Sequence, residues 1–179
     1  MMNKVIPVLF ALLITFSVHG EERLAAVRLG TPCEEIRDIE RRLGSVELSG
    51  DNATGISEYS GTHGGKKAKI VYRCATGVLA EQTIVVTAAS RDEAYQFADT
   101  QKVELSMRLG DPLHDGLQLA AWRKMLFGFL GADLDYLTAV VVWGRANEDV
   151  MLSVTESATN LWQVSISQGS SKQEYILNS

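Results

Sequence analysis

The chain holds two cysteines, Cys33 and Cys74, and whether they join decides much of the fold open to it. Their separation excludes the CxxC pair of a redox or metal site. Their state depends on compartment, because disulfides persist outside the reducing cytosol. The amino terminus speaks to that. Residues 1–20 place one lysine, Lys4, ahead of an apolar run at 5–16, and end in Val18-His19-Gly20 before the charged Glu21-Glu22-Arg23. This is the layout of a secretory signal peptide, with cleavage expected after Gly20. A spanning helix needs roughly 17–25 apolar residues, and the run at 5–16 falls short of that. A lipid-anchored form would need a cysteine at the first exported position, where Glu21 stands. The expectation is an exported chain, periplasmic or secreted, with no membrane anchor after cleavage.

In that setting Cys33 and Cys74 are expected to form a structural disulfide. Closing a loop of about 42 residues restricts the unfolded chain by roughly 4 kcal/mol in the chain-entropy view. An ordinary domain is stable by only about 5–15 kcal/mol, so the staple would matter. A reactive thiol is the alternative, and no His or Lys pattern flanks either cysteine to activate it.

Residues 21–179 are long enough for one domain with its own core. The full chain carries 17 Lys and Arg against 22 Asp and Glu, a net charge of −5, and loss of Lys4 makes it −6. An acidic excess argues against nucleic acid as a partner, because phosphate binding needs clustered cations. The basic spots are small: Arg41-Arg42, Lys66-Lys67-Lys69 and Arg123-Lys124. Each reads as a solvated face. Beyond the leader, 117–130 comes nearest to a spanning segment, and Arg123-Lys124 interrupt it.

Thr31-Pro32-Cys33-Glu34 predicts a helix start, with Thr31 as cap and Pro32 in the first turn. Ile36, Ile39 and Leu43 follow at helical spacing and Gly44 stops the run, which gives a helix over 32–43. Residues 49–55 read as turn, 56–60 as a short strand and 61–65 as a glycine-rich loop. Ala68, Ile70, Tyr72 and Cys74 alternate with Lys69, Val71 and Arg73, which predicts a half-buried strand. With the turn at 75–77 and the β-formers at 79–87 it makes a hairpin. A disulfide would then tie the helix start to one hairpin strand.

Ser90-Arg91-Asp92-Glu93 predicts a second capped helix. Ala94, Phe97, Ala98, Leu105 and Leu109 share one face, and Gly110 with Pro112 end it. Residues 103–109 also alternate as a strand would; the cap and stop favour helix through 109. Residues 117–126 are ambiguous between helix and strand, and 127–131 read as a turn. Strands are expected at 137–143, 150–155 and 161–167, with Trp162, Val164 and Ile166 on one buried face. Residues 172–179 would add an edge strand or fray. Arg42-Leu43-Gly44 and Arg108-Leu109-Gly110 end the two helices alike, which raises an α+β duplication with halves 21–89 and 90–179.

From Leu29 to Thr87 the order is Gly-Thr-Pro-x-Glu-Glu-Ile, then Leu-Gly, a Tyr-bearing strand and a hairpin. This resembles the small envelope modules of the outer-membrane-assembly lipoprotein and β-lactamase-inhibitor-protein type. The resemblance implies helices packed on antiparallel sheet and a sheet face that contacts a protein partner. Val71-Tyr72-Arg73-Cys74-Ala75-Thr76-Gly77 is similar to the Tyr-x-Cys hairpin of C-type lysozyme inhibitors. Their Ser-Gly-x-x-Tyr loop is absent, since Thr62-His63-Gly64 follows Ser60-Gly61.

Chemistry-bearing patterns are sparse. Beyond the leader the histidines are His63, in the glycine-rich stretch, and His114, in Asp111-Pro112-Leu113-His114-Asp115. Asp111, His114 and Asp115 would need further ligands to hold a metal, and they read as a polar connection after a helix. There is no Gly-x-Ser-x-Gly elbow. Asp133 and Asp135 lie too close in sequence to suggest a glycosidase pair, and Gly61-Thr62-His63-Gly64-Gly65-Lys66-Lys67 lacks P-loop spacing. No cofactor, no metal and no enzymatic role are expected. Candidates for partner contact are Trp122, Phe127, Phe129 and Tyr136, if Phe127-Gly128-Phe129-Leu130-Gly131 forms an exposed aromatic tip. The expectation is an α+β protein-binding module, partnered by another envelope or secreted protein as inhibitor, immunity factor or assembly accessory. The alternative is a small hydrolase or ligand-binding protein with a pocket near His63 or His114.

Overall fold

Strict alternation of apolar and polar side chains runs through most of the extended segments, and it produces a single antiparallel sheet with one buried face. The computed structural model describes residues 21–51, 54–118, 121–131, 139–145, 148–157 and 159–170. The proposed leader at 1–20, the edge strand expected at 172–179, Asp133, Asp135 and Tyr136 lie outside these residues. Four helices are described: α1 (Glu21–Ala26), α2 (Cys33–Arg42), α3 (Arg91–Leu109) and α4 (Ala121–Phe129). Eight strands are described: β1 (Val46–Asp51), β2 (Ile56–His63), β3 (Lys66–Ala75), β4 (Val78–Ala88), β5 (His114–Asp115), β6 (Val140–Arg145), β7 (Glu148–Glu156) and β8 (Trp162–Gly169). The expected α+β class is what the chain adopts.

The sheet order is β1-β2-β3-β4-β8-β7-β6-β5, antiparallel at every junction. It reads alike from either end. Each half contributes helix followed by strands, the last strand of each lies at the centre, and β4 pairs with β8 across the seam. Both α2 and α3 end in Leu-Gly, with Gly44 and Gly110 at φ of +76° and +85°.

The first helix starts differently from expectation. Pro32, not Thr31, stands at the cap position with an extended backbone, and no side chain caps the helix. The reason is tertiary. Residues 30–33 run along the start of β4, with Gly30 N–H donating to Leu79 O, Leu79 N–H to Thr31 O and Cys33 N–H to Gly77 O. Those sheet-like bonds hold Thr31 out of the helix. Cys33 therefore opens α2, and it is bonded to Cys74 on β3 as expected, with Cα atoms 6.3 Å apart.

Two expected loops are strand. Residues 49–55 were read as turn, yet β1 runs to Asp51. Residues 61–65 were read as loop, yet β2 continues through His63 and only Gly64-Gly65 turn. Both turn glycines have positive φ (+54° and +73°), and a Cβ on Gly64 would meet the Phe97 ring at 2.7 Å. A two-residue turn with left-handed backbone suits the twist of a hairpin. By contrast Ser90 caps α3 as expected, accepting from Glu93 N–H at 3.2 Å, while the Glu93 carboxylate accepts from Ala89 N–H at 3.0 Å. The helix continues to Leu109, which settles 103–109 as helix.

The core lies between the sheet and α1–α3. Ile70, Ile84, Ile166, Leu152 and Val141 stand in register across five strands on the covered face, all at most 1% exposed. Ile36 of α2 and Ala94, Phe97, Ala98 and Leu105 of α3 close over them. Burying each large aliphatic side chain contributes roughly 1.5–3 kcal/mol.

Candidate functional site

Two polar clusters lie inside the molecule. Arg23 of α1 and the Tyr72 hydroxyl of β3 both donate to the carboxylate of Glu40 on α2, and all three residues are buried. Burial, with Glu40 alongside, pushes the Tyr72 phenol up and keeps it neutral. A Cβ on Gly61 would come within 2.8 Å of the Arg23 guanidinium, so glycine at this place on β2 admits the arginine. Nearby, Gln101 donates its amide to Glu104 at 2.9 Å, which leaves its oxygen to accept from His63 Nε2–H at 2.6 Å. That fixes the neutral tautomer of His63. Burial above all, with Arg23 and Arg108 adding to it, lowers its pKa from 6.5 to about 4, against the raising pull of Gln101. His63 is thus buried in the core, 1% exposed.

His114 stands on the edge strand β5, partly exposed. Its neighbour Asp115 pairs with Lys102 of α3 at 3.2 Å. Among the described residues no three His, Cys, Asp or Glu side chains converge as a metal site would require. A cleft of about 590 Å³ opens beside the disulfide, where Arg37 and Glu47 pair at 3.0 Å above Tyr59. Neither histidine lines it. Glu34, Thr54, Ser57 and the turn residues Thr76 and Gly77 complete its polar lining.

The broad feature is the other face of the sheet. Side chains alternate across a sheet, so the residues between the core positions all point away from α1–α3. Glu58, Val71, Thr83, Ser167, Met151, Val142 and His114 stand in register from β2 to β5. Beside them lie Ser60, Lys69, Val85, Ser165 and Ser153. All are intermediate or exposed, and none of α1, α2 and α3 packs on this side.

The two halves of the face differ. On β2–β4 it is charged and internally paired, with Lys69–Glu58 at 2.8 Å and Arg73–Glu81 at 3.2 Å. The Lys69 ammonium holds the Glu58 carboxyl below its usual range. On β8 and β7 it is rich in hydroxyls, with Ser165, Ser167, Ser153 and Thr155 beside Gln163 and Met151, and Asp149 at one end. Thr83 and Ser167 hydroxyls lie 3.2 Å apart across the central seam.

The expected aromatic tip at 127–131 is a correction. Phe127-Gly128-Phe129 belongs to α4, and the turn begins only at Leu130. The helix forms because Trp122, Met125, Leu126, Phe129 and Leu130 repeat at helical spacing. Phe129 and Trp122 are strongly exposed, at 89% and 59%. Phe127 lies on the same helix. The structure thus places Trp122 and Phe129 together on one exposed stripe of α4. The period-2 pattern marked Ser165 and Ser167 as facing away from the core. It could not tell that no helix of the first three would cover them.

Comparison with known proteins finds no family model, no curated protein and no solved structure that matches the chain.

Proposed function

We propose that the chain is an exported protein-binding module, built from the halves 21–89 and 90–179, whose partner docks on the sheet face that points away from α1–α3. The observation that carries this reading is the cluster of Ser and Thr hydroxyls on the outward face of β8 and β7. A sheet face evolved only for water is well served by long charged residues. Ser165, Ser167, Ser153 and Thr155 instead lose little rotamer freedom on burial and each offers both a donor and an acceptor. Eight strands spaced about 4.8 Å apart span roughly 34 Å, and one side of a standard protein interface covers about 800 Å². The charged half of the face would orient the partner and the hydroxyl half would approach it closely. The likeness of 29–87 to envelope modules that bind through a sheet supports the same reading.

Affinity capture from envelope extract tests it. The wild-type chain is expected to retain one stoichiometric protein, and Ser165→Arg, which plants a long cation in the hydroxyl field, is expected to release it without lowering the melting temperature. Retention by both chains, or by neither, would refute the reading.

A further inference from the structure

The helix α4 carries Trp122, Met125, Leu126 and Phe129 on one stripe that Leu130 extends just past its end, and all five are solvent-exposed, from 47% to 89%. The 122, 125, 126, 129 and 130 spacing puts them on one side of the helix. An exposed stripe of this size costs solubility unless something covers it. The charge around it indicates what. Residues 116–132 contain no Asp or Glu and carry Arg123 and Lys124, within a chain of net charge −5. Arg123 lies one step to the side of the stripe, with its guanidinium 5.2 Å from the Trp122 ring centroid. Its aliphatic stem can thus lie along apolar surface while its head reaches outward. No described helix is long and apolar enough to cross a bilayer, so α4 would lie in a surface rather than span it.

We propose that α4 is a membrane-interface helix that seats Trp122, Met125, Leu126, Phe129 and Leu130 among the acyl chains of an anionic lipid surface. Arg123, beside the stripe, supplies the attraction to lipid phosphate. An apolar stripe, an interfacial Trp, flanking cations and no carboxylate are the combination such helices use. A hydrophobic groove on a protein would accept the stripe equally well. The lack of any acid over 116–132, against the acidic remainder of the chain, is what favours a uniformly negative surface. The adsorption is peripheral and reversible, and it does not depend on the sheet-face reading.

Vesicle co-sedimentation of the protein as its host exports it tests this, using phosphatidylcholine vesicles with and without about one-third phosphatidylglycerol. Any contribution of the apolar run at 5–16 is common to all variants. Binding to the anionic vesicles is expected, with a blue shift of Trp emission that Trp122→Phe abolishes. Phe129→Ser should weaken binding about tenfold or more, and Arg123→Gln about fivefold. Phe129→Ser must keep the wild-type melting temperature, as its exposure requires. Equal sedimentation of wild type and Phe129→Ser would overturn the proposal, as would equal binding to neutral and anionic vesicles. It would be overturned equally if the stripe instead held a second copy or a captured protein, lost in Phe129→Ser, with no vesicle binding.

Discussion

Arg23, Glu40 and Tyr72 show how single residues hold this structure. Each alone would be costly to bury, and together they satisfy one another. Stranding one partner of such a pair costs about 3–5 kcal/mol, so Arg23, with the buried Leu24 beside it, ties the six-residue helix α1 to the domain. His63 carries a different consequence. The unfolded chain binds a proton on this imidazole near pH 6.5, the folded chain only near 4. Between those values the unfolded state holds more protons, so stability falls as pH falls through that window and is unaffected by this group above it. The slope approaches about 1.4 kcal/mol per pH unit, and the whole loss is roughly 3 kcal/mol. Urea unfolding of wild type and His63→Gln between pH 7 and 5 checks it. The variant is expected to lose most of the slope, whatever its absolute stability. A wild-type slope carried over unchanged would mean that His63 protonates freely in the fold.

Among the elements, α2 is short and uncapped, and its amphipathic face supplies only Ile36 and Glu40 as buried residues. Isolated helices of this length are marginal in water. Three backbone bonds to the start of β4 and the Cys33–Cys74 bond hold its amino end instead. The double variant Cys33→Ser, Cys74→Ser is therefore expected to lose roughly 4 kcal/mol, seen as a fall in the urea midpoint with the folded far-UV spectrum retained at neutral pH. An unchanged midpoint would show that the backbone bonds suffice alone. The longer α3 needs no such staple. Its Ser90–Glu93 cap and the buried Ala94, Phe97, Ala98 and Leu105 secure it, and Gln101 and Lys102 bring polar partners to the sheet.

At the scale of the molecule, one sheet separates two environments. Neighbouring residues of β4 sample them: Ile84 points into the core and is 0% exposed, while Val85 points to the side away from α1–α3. Ile84→Ala is expected to cost about 2–5 kcal/mol. Val85→Thr, on the outward side, is expected to stay within about 0.5 kcal/mol. Denaturant unfolding of the two variants measures the contrast, and comparable losses would mean that the second face is also core. The order of the strands adds a further consequence. Because β4 and β8 meet at the centre, the charged outward surface of one half adjoins the hydroxyl surface of the other. Neither half alone presents both.

Much of this was legible in the chain itself. Alternation at 68–74 and 162–166 predicted the strands and their inward faces, because a period of two leaves only one way to bury Ile70, Tyr72, Val164 and Ile166. The Ser90–Glu93 pattern predicted the start of α3, since its bonds are local. Where long-range bonds compete, local signals misled: Thr31 looks like a cap, yet its carbonyl is taken by Leu79 on β4. His63 looks like a loop residue, yet its strand continues to the glycine pair. The aromatic segment at 127–129 was read as a turn, and helical spacing from Trp122 to Leu130 prevailed. The outward face of β7 and β8 was written in the sequence as alternating Ser and Thr. That α1, α2 and α3 all leave it uncovered was not, because that depends on which side of the sheet three separate helices choose. The sequence by itself determined the secondary-structure periods, the inward residues and the pairing of the only two cysteines, all of which follow from local geometry and simple counting. The tertiary structure alone decided the symmetric strand order, the burial of Arg23, Glu40 and His63, and the exposure of the α4 stripe, because each is set by contacts between residues far apart in the chain.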